Sequence, residues 1–124
     1  MESTNLRIRV LRGEICLVDF DPVRGSEANK RRPAVIVSND GANASAARLN
    51  RGVITVVPVT TNVTRVYPFQ VMLRASDCGL PRDSKAQAEQ VRSVAIQRVG
   101  RRVGQLSPEL MSGIEDALRL HLSL

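Results

Sequence analysis

The sequence predicts a mainly β fold of the α+β class, a small and strongly bent antiparallel sheet with one C-terminal helix. Five or six short runs rich in β-branched and large apolar residues are bounded by Gly, Pro, Asn and Asp, the pattern of short strands joined by turns. A single stretch with helix-start signals and helical periodicity closes the chain. At 124 residues there is room for one domain, large enough to bury a core without disulfide staples.

Taken in order, residues 14–20 form the first strand, closed by Asp21-Pro22. A loop runs through Arg32, and residues 34–38 make the second strand, which Asn39-Asp40-Gly41 ends with turn chemistry. Alanines at 42, 44, 46 and 47 point to a short helix over 42–49. Val53-Ile54-Thr55-Val56-Val57 is the clearest strand, nearly all β-branched, and its unbroken apolar run predicts cover on both faces. Pro58 then argues for a strand end or a bulge. Phe69-Gln70-Val71-Met72-Leu73 alternates, with Phe69, Val71 and Leu73 expected inward.

Residues 74–83 read as a turn-rich loop. Over 85–92, Ala, Gln and Glu favour a helix locally, whereas Ala86, Ala88 and Gln90 also fit the period of two that a strand requires. A short last strand is expected over 101–106. Ser107-Pro108-Glu109 then opens a helix with an N-cap, a first-turn proline and an acid opposing the dipole. Ile114, Leu118 and Leu122 recur at helical spacing and define its inward face. His121, the only histidine, lies at the end of this helix, where packing or surface exposure accounts for it.

Composition narrows the function. The net charge is +6 and the isoelectric point near 10.6, so the expected partner is a polyanion or an acidic protein segment. Aromatic residues make up only 2%, which argues against a row of rings stacking bases. Cys16 and Cys78 are too few for a disulfide framework, and no close Cys/His cluster offers metal ligands. They read as free thiols of a reducing cytosol. Residues 1–12 carry three arginines without a continuous apolar run, no segment is long enough to span a bilayer, and the reading is a cytoplasmic protein. Residues 1–12 are expected to be a flexible extension, with the domain itself over 13–124.

The stretch Gly25 to Pro33, set between the first two strands, concentrates the chemistry. Glu27 is followed by three consecutive cations, Lys30, Arg31 and Arg32, and Pro33 stiffens the backbone after them. Guanidinium groups on a stiff loop suit a phosphodiester, which they grip in bidentate fashion. On charge alone a solvated basic turn explains the same residues.

Four blocks shift that balance. Gly13-Glu14-Ile15, Asp19-Phe20-Asp21-Pro22, Gly25-Ser26-Glu27 and Arg32-Pro33-Ala34-Val35 together resemble the N-terminal signature of the MazF/PemK toxin family. Val57-Pro58-Val59-Thr60-Thr61, Pro68-Phe69-Gln70-Val71 and Glu89-Gln90-Val91-Arg92-Ser93-Val94 match its later blocks in the same order. The resemblance spans about Gly13 to Leu122, and several ordered blocks are far more specific than any one of them.

The resemblance implies an SH3-like small barrel of the CcdB/MazF type, a homodimer, and a strand rather than a helix over 85–92. It implies the toxin of a type II toxin-antitoxin system, a sequence-specific and metal-independent endoribonuclease acting on single-stranded RNA. In that chemistry the ribose 2'-hydroxyl attacks the adjacent phosphorus and leaves a 2',3'-cyclic phosphate and a 5'-hydroxyl. No cofactor is implied. Arg32 and Thr60 match the family's active-site pair, Arg32 neutralising phosphate charge and Thr60 hydrogen-bonding a phosphoryl oxygen. Glu27 is the candidate proton acceptor or orienter of Arg32, with capping of the loop backbone as its alternative role. Lys30, Arg31, Asn62, Arg82 and Gln90 are candidates for the RNA surface, with loops 61–67 and 74–83 setting the bases read. The implied inhibitor is a MazE-like antitoxin with an acidic, flexible tail. Two alternatives remain open: a catalytically inactive RNA- or protein-binding module of the same fold, and a CcdB-like gyrase inhibitor. The latter relies on a C-terminal Trp that this chain lacks.

Overall fold

The computed structural model describes residues 9–20 and 31–124. Seven strands and three helices follow in the order β1 (Glu14–Asp19), β2 (Arg31–Ile36), α1 (Asp40–Leu49), β3 (Val53–Thr60), β4 (Gln70–Leu73), α2 (Ala75–Cys78), β5 (Ser84–Gln87), β6 (Arg92–Ala95), β7 (Val99–Gln105) and α3 (Pro108–Leu122). Every pairing is antiparallel. The strands join in the order β4-β5-β3-β2-β1-β7, with β6 also paired to β3.

Strand β3 is the hub. One of its edges pairs with β2, and its other edge is shared by β6 along Val53 to Val56 and by β5 at Val59 and Thr60. Changing partners along a single edge bends the sheet. Alternate residues of the central strands feed two separate cores, as the period of two requires. Cys16, Val18, Ala34, Ile36, Ile54 and Val56 join Ala46 of α1 on one side. Ile15, Val35, Val57 and Val59 join Met111 and Ile114 of α3 on the other. The double cover expected for the run 53–57 holds at Val56 and Val57 and continues to Val59, whereas Val53 is 57% exposed.

Several boundaries differ from the sequence reading, each for a physical reason. The second strand starts at Arg31, so Arg31, Arg32 and Pro33 are strand residues and not loop, paired with Asp19, Val18 and Leu17. Pro58 does not end β3, because the strand continues to Thr60. In β4 the buried residues are Gln70 and Leu73; Phe69 is half-buried and stacks on Tyr67 with ring centroids 5.3 Å apart. Gln70 is tolerated inside because its side chain accepts from the Tyr67 backbone N–H at 3.1 Å and donates to Glu89 at 2.7 Å.

Residues 85–92 are neither one helix nor one strand. Strand β5 passes into a single 3-10 turn, Ala88–Gln90, and Arg92 opens β6, a strand that sequence patterning did not delimit. At the C-terminus Ser107 accepts from the Leu110 N–H and Pro108 occupies the first turn, as expected. The inward face, however, is Met111, Ile114 and Ala117, with Leu118 partly covered and Leu122 left 47% exposed, since α3 outruns the core it covers.

Upstream of β1, Val10 is buried. Arg12 donates from its backbone N–H to Asp40 at 2.7 Å and from Nε to the Val37 carbonyl at 3.0 Å, and its guanidinium pairs with Glu115 at 2.9 Å. These contacts tie the chain end to both α1 and α3. Helix α1 is capped by Asn39, whose side chain accepts from the Ala42 N–H, so the expected turn is a helix start.

Asn43 is the fully buried polar residue of α1. Its amide donates to the Ser38 carbonyl at 2.9 Å and accepts from the Ser38 hydroxyl, which in turn accepts from the Thr55 N–H at 3.1 Å. Replacing Asn43 by Ala strands these groups, and urea denaturation is expected to show a loss of about 1–3 kcal/mol.

Both cysteines are buried and unpaired, consistent with the free thiols expected. Burial, reinforced by Glu14, pushes the Cys16 thiol from its usual 9.0 up to about 11, and burial with Asp77 raises Cys78 as well. A thiol raised in the fold supports the native state fully below pH 9, and that support is lost as pH climbs from 9 towards 11 at about 1.4 kcal/mol per pH unit. Unfolding free energies measured across this alkaline range are expected to fall less steeply in Cys16→Ala than in the parent chain.

Candidate active site

The β2–β3 register sets Ala34 opposite Pro58, Val35 opposite Val57 and Ile36 opposite Val56. The ladder ends there, and the same register continued two residues points Arg32 towards Thr60. On the other edge of β3, Thr60 faces Lys85 of β5. Residues directly opposite one another in a sheet share a face. Thr60 and Lys85 therefore share a face, and Arg32 lies on the corresponding face of β2.

Around these residues the contacts converge. Arg32 is exposed and donates from Nη2 to the Gln87 side-chain carbonyl at 3.3 Å, and its guanidinium lies 5.9 Å from the centre of the Phe20 ring. Arg92, at the start of β6, lies 5.2 Å from the same ring. Both distances are within cation–π range. The Thr60 hydroxyl accepts from the Asn62 N–H at 3.2 Å, and Asn62 accepts from the Thr64 N–H at 3.3 Å, so two side-chain-to-backbone turns shape the start of loop 61–69.

Lys85 is buried, 7% exposed. Its ammonium donates to the Arg65 carbonyl at 2.6 Å and lies 5.9 Å from the centre of the Tyr67 ring, which pins loop 61–69 over β5. Gln70 and Glu89 hold the same loop from its far end. Glu89 keeps one buried carboxylate oxygen without a partner.

The expected site residues divide. Arg32 and Thr60 come together, with Asn62 hydrogen-bonded to Thr60. Arg31 projects to the opposite face of β2, as successive strand residues must, and its Nη1 would lie 3.5 Å from a Cβ placed on Gly100. Arg82 is exposed in the segment before β5, and Gln90 is exposed in the 3-10 turn; among the described residues no hydrogen bond joins either to Arg32 or Thr60. Glu27 and Lys30 lie outside the described residues. Sequence reasoning missed Lys85, Gln87, Arg92 and Phe20 as members of the site. The period of two noted over 85–92 held the signal: it puts Lys85 and Gln87 on one face of β5, opposite to that of Ala86.

Chemically, the arrangement gathers Arg32, Arg92 and Lys85 at the end of one sheet face. Among the described residues the ion pairs are Arg12–Glu115, Arg102–Glu14 and Arg119–Asp116, none of which involves these three cations. A hydroxyl beside positive charge that no described acid pairs with suits a phosphodiester and the charge that builds on its oxygens. The fold and site thus define a small bent-sheet protein with a candidate phosphate-binding face.

Residues 11–122 match the family of PemK-like, MazF-like toxins of type II toxin-antitoxin systems, and the chain belongs to that family. It is 61% identical over 113 residues to the endoribonuclease MazF9 of Mycobacterium tuberculosis, covering 91% of this chain and 96% of that one. It is 32% identical over 116 residues to the endoribonuclease EndoA of Bacillus subtilis, covering 93% and 96% respectively. The fold superposes on a mycobacterial endoribonuclease solved in complex with its cognate antitoxin at a TM-score of 0.71 and 27% identity, over 93% of this chain and 96% of that one.

The tether on loop 61–69 can be tested directly. Lys85→Met keeps the length of the side chain and removes its donor. A hydrogen bond from a charged group contributes about 1.5–3 kcal/mol, so amide exchange at Asn62, Thr64 and Tyr67 is expected to quicken by about tenfold or more, with exchange in α3 unchanged.

Proposed function

We propose that this toxin is a sequence-specific endoribonuclease that cuts single-stranded RNA through the substrate's own 2'-hydroxyl, leaving a 2',3'-cyclic phosphate and a 5'-hydroxyl and so arresting growth. What supports the reading is the placement of Arg32 and Thr60 on neighbouring strands, two residues beyond the paired Ala34 and Pro58, in a chain 61% identical to a protein named an endoribonuclease.

With the nucleophile supplied by the substrate, the protein has three tasks: accept a proton from the hydroxyl, stabilise charge on the phosphate oxygens, and return a proton to the leaving oxygen. Arg32 suits the second, because its planar fork of N–H donors, with no acceptor, reaches two phosphate oxygens. Thr60 adds a neutral donor at the same phosphate. Arg32 is a poor base for the same reason that it is a good clamp, so Glu27 is the proposed proton acceptor. Arg92 and Lys85 extend positive charge along the strand path, while Asn62 and Gln90 offer amides to base edges. Unpaired RNA presents such edges, and DNA lacks the hydroxyl that attacks.

The working unit is proposed as a homodimer in the cytoplasm, held in check by an antitoxin whose acidic segment answers the +6 charge. A segment of this kind competes with RNA for the same cations and folds on binding.

The deciding experiment incubates the purified protein with long single-stranded RNAs in EDTA, beside Arg32→Ala and Thr60→Ala, and maps the ends. Discrete cuts ending in cyclic phosphate are expected. Each substitution is expected to lower the rate on the order of a hundredfold or more, as removal of one well-placed donor does. Absence of cuts on diverse RNAs by a folded protein would sink the reading.

A further inference from the structure

Gln87 accepts the one hydrogen bond that the Arg32 guanidinium donates among the described residues, at 3.3 Å and across 55 positions of sequence. The register explains how it reaches. Val59 faces Ala86 and Thr60 faces Lys85, so the same pairing continued sets Gln87 beside Pro58, and Pro58 faces Ala34. Proline and alanine are short, and a glutamine on β5 can lie over them to meet an arginine on β2. The oxygen must be the contacting atom, because guanidinium has donors only.

We propose that Gln87 is a positioning residue for the reaction, a neutral clamp that fixes the direction of the Arg32 guanidinium without offsetting its charge. The proposal rests on the endoribonuclease reading above and adds to it a residue and a reason for its chemical type. A carboxylate here would hold the fork at least as firmly, but it would form an ion pair with Arg32 and repel the incoming phosphate. An apolar residue would leave the charge whole and the fork free to swing. An amide carbonyl avoids both faults: it engages Nη2 and leaves the remaining N–H groups of the fork for phosphate oxygens. Small errors in the placement of a catalytic group cost a large part of the rate, so direction is worth holding even at an exposed arginine.

Two variants of the same length separate the effects. Gln87→Met removes the acceptor, and Gln87→Glu keeps it and adds a charge. Each is compared with the parent chain and Arg32→Ala in single-turnover cleavage of an RNA that the parent cuts, and in binding of the all-2'-deoxy strand of the same sequence, which cannot be cut. For Gln87→Met the cleavage rate is expected to fall on the order of tenfold, with affinity for the deoxy strand within about twofold of the parent. For Gln87→Glu both rate and affinity are expected to fall, and its rate relative to the parent is expected to recover as pH drops and the carboxyl takes up a proton.

Equal rates for Gln87→Met and the parent would overturn the proposal. So would identical, pH-independent losses in the two variants, which would mark Gln87 as a packing residue. If the parent cuts and Arg32→Ala does not, a silent Gln87→Met counts against this inference alone. If the parent leaves every RNA intact, the endoribonuclease reading fails and the clamp fails with it.

Discussion

The structure depends on β3 being paired along both edges, with β2 as far as Pro58 and with β5 as far as Thr60. That constraint turns a linear order of residues into a site. Arg32, Thr60 and Lys85 are separated by 28 and 25 positions in the chain, and the antiparallel registers set Thr60 beside Lys85 and carry Arg32 on the neighbouring strand, two residues beyond the paired Ala34. A slip of one residue in either pairing would send one member to the opposite face. The register is held by the two cores, since the same slip would expose Val56 and Ile36 on one side and Val57 and Val35 on the other. Packing at one end of the strands thus enforces alignment of the chemistry at the other. This is how a small domain gives angular precision to long, flexible side chains such as Arg and Lys.

The strands outlast the sequence signals that were expected to end them. Pro33 and Pro58 both sit inside ladders, where proline is normally confined to positions that face no donor-requiring partner. Extending β2 back to Arg31 and β3 on to Thr60 carries the two candidate residues, Arg32 and Thr60, onto rigid elements. Arg32, expected on a loop, lies on a strand instead. Orientation then follows the strand period: Arg32 joins Thr60, while its neighbour Arg31 crosses to the other face near Gly100.

The β-branched run at 53–57, the capped start of α3 and the family itself were legible because each rests on a local pattern or an ordered block. Lys85 and Gln87 were not, because their meaning is carried by partners distant in sequence, Thr60 and Arg32. The helical composition of 85–92 hid a strand and a 3-10 turn, since pairing with β3 and β4 outweighs a weak local preference. Gln70 in β4 and Asn43 in α1 were also opaque: a polar residue is read as surface unless its hydrogen-bond partners are known. Leu122 failed in the opposite sense, because periodicity marks a face but does not say how far the core beneath it extends.

The partners of the cations separate structural charge from site charge. Arg12, Arg102 and Arg119 each meet a carboxylate and serve the fold or its surface. Arg32 meets an amide carbonyl and the Phe20 ring, Arg92 the same ring, and Lys85 a backbone carbonyl and the Tyr67 ring. Neutral acceptors and aromatic faces solvate a cation without cancelling its field, so its attraction for phosphate survives. Three like charges around one strand end also repel one another, and that repulsion weakens the empty fold until an anion arrives. A phosphodiester relieves it, and so does an acidic peptide. An RNA strand and an acidic peptide, as proposed above, would then be drawn by the same charge, and a peptide that covers it would stabilise the fold by binding the native state alone.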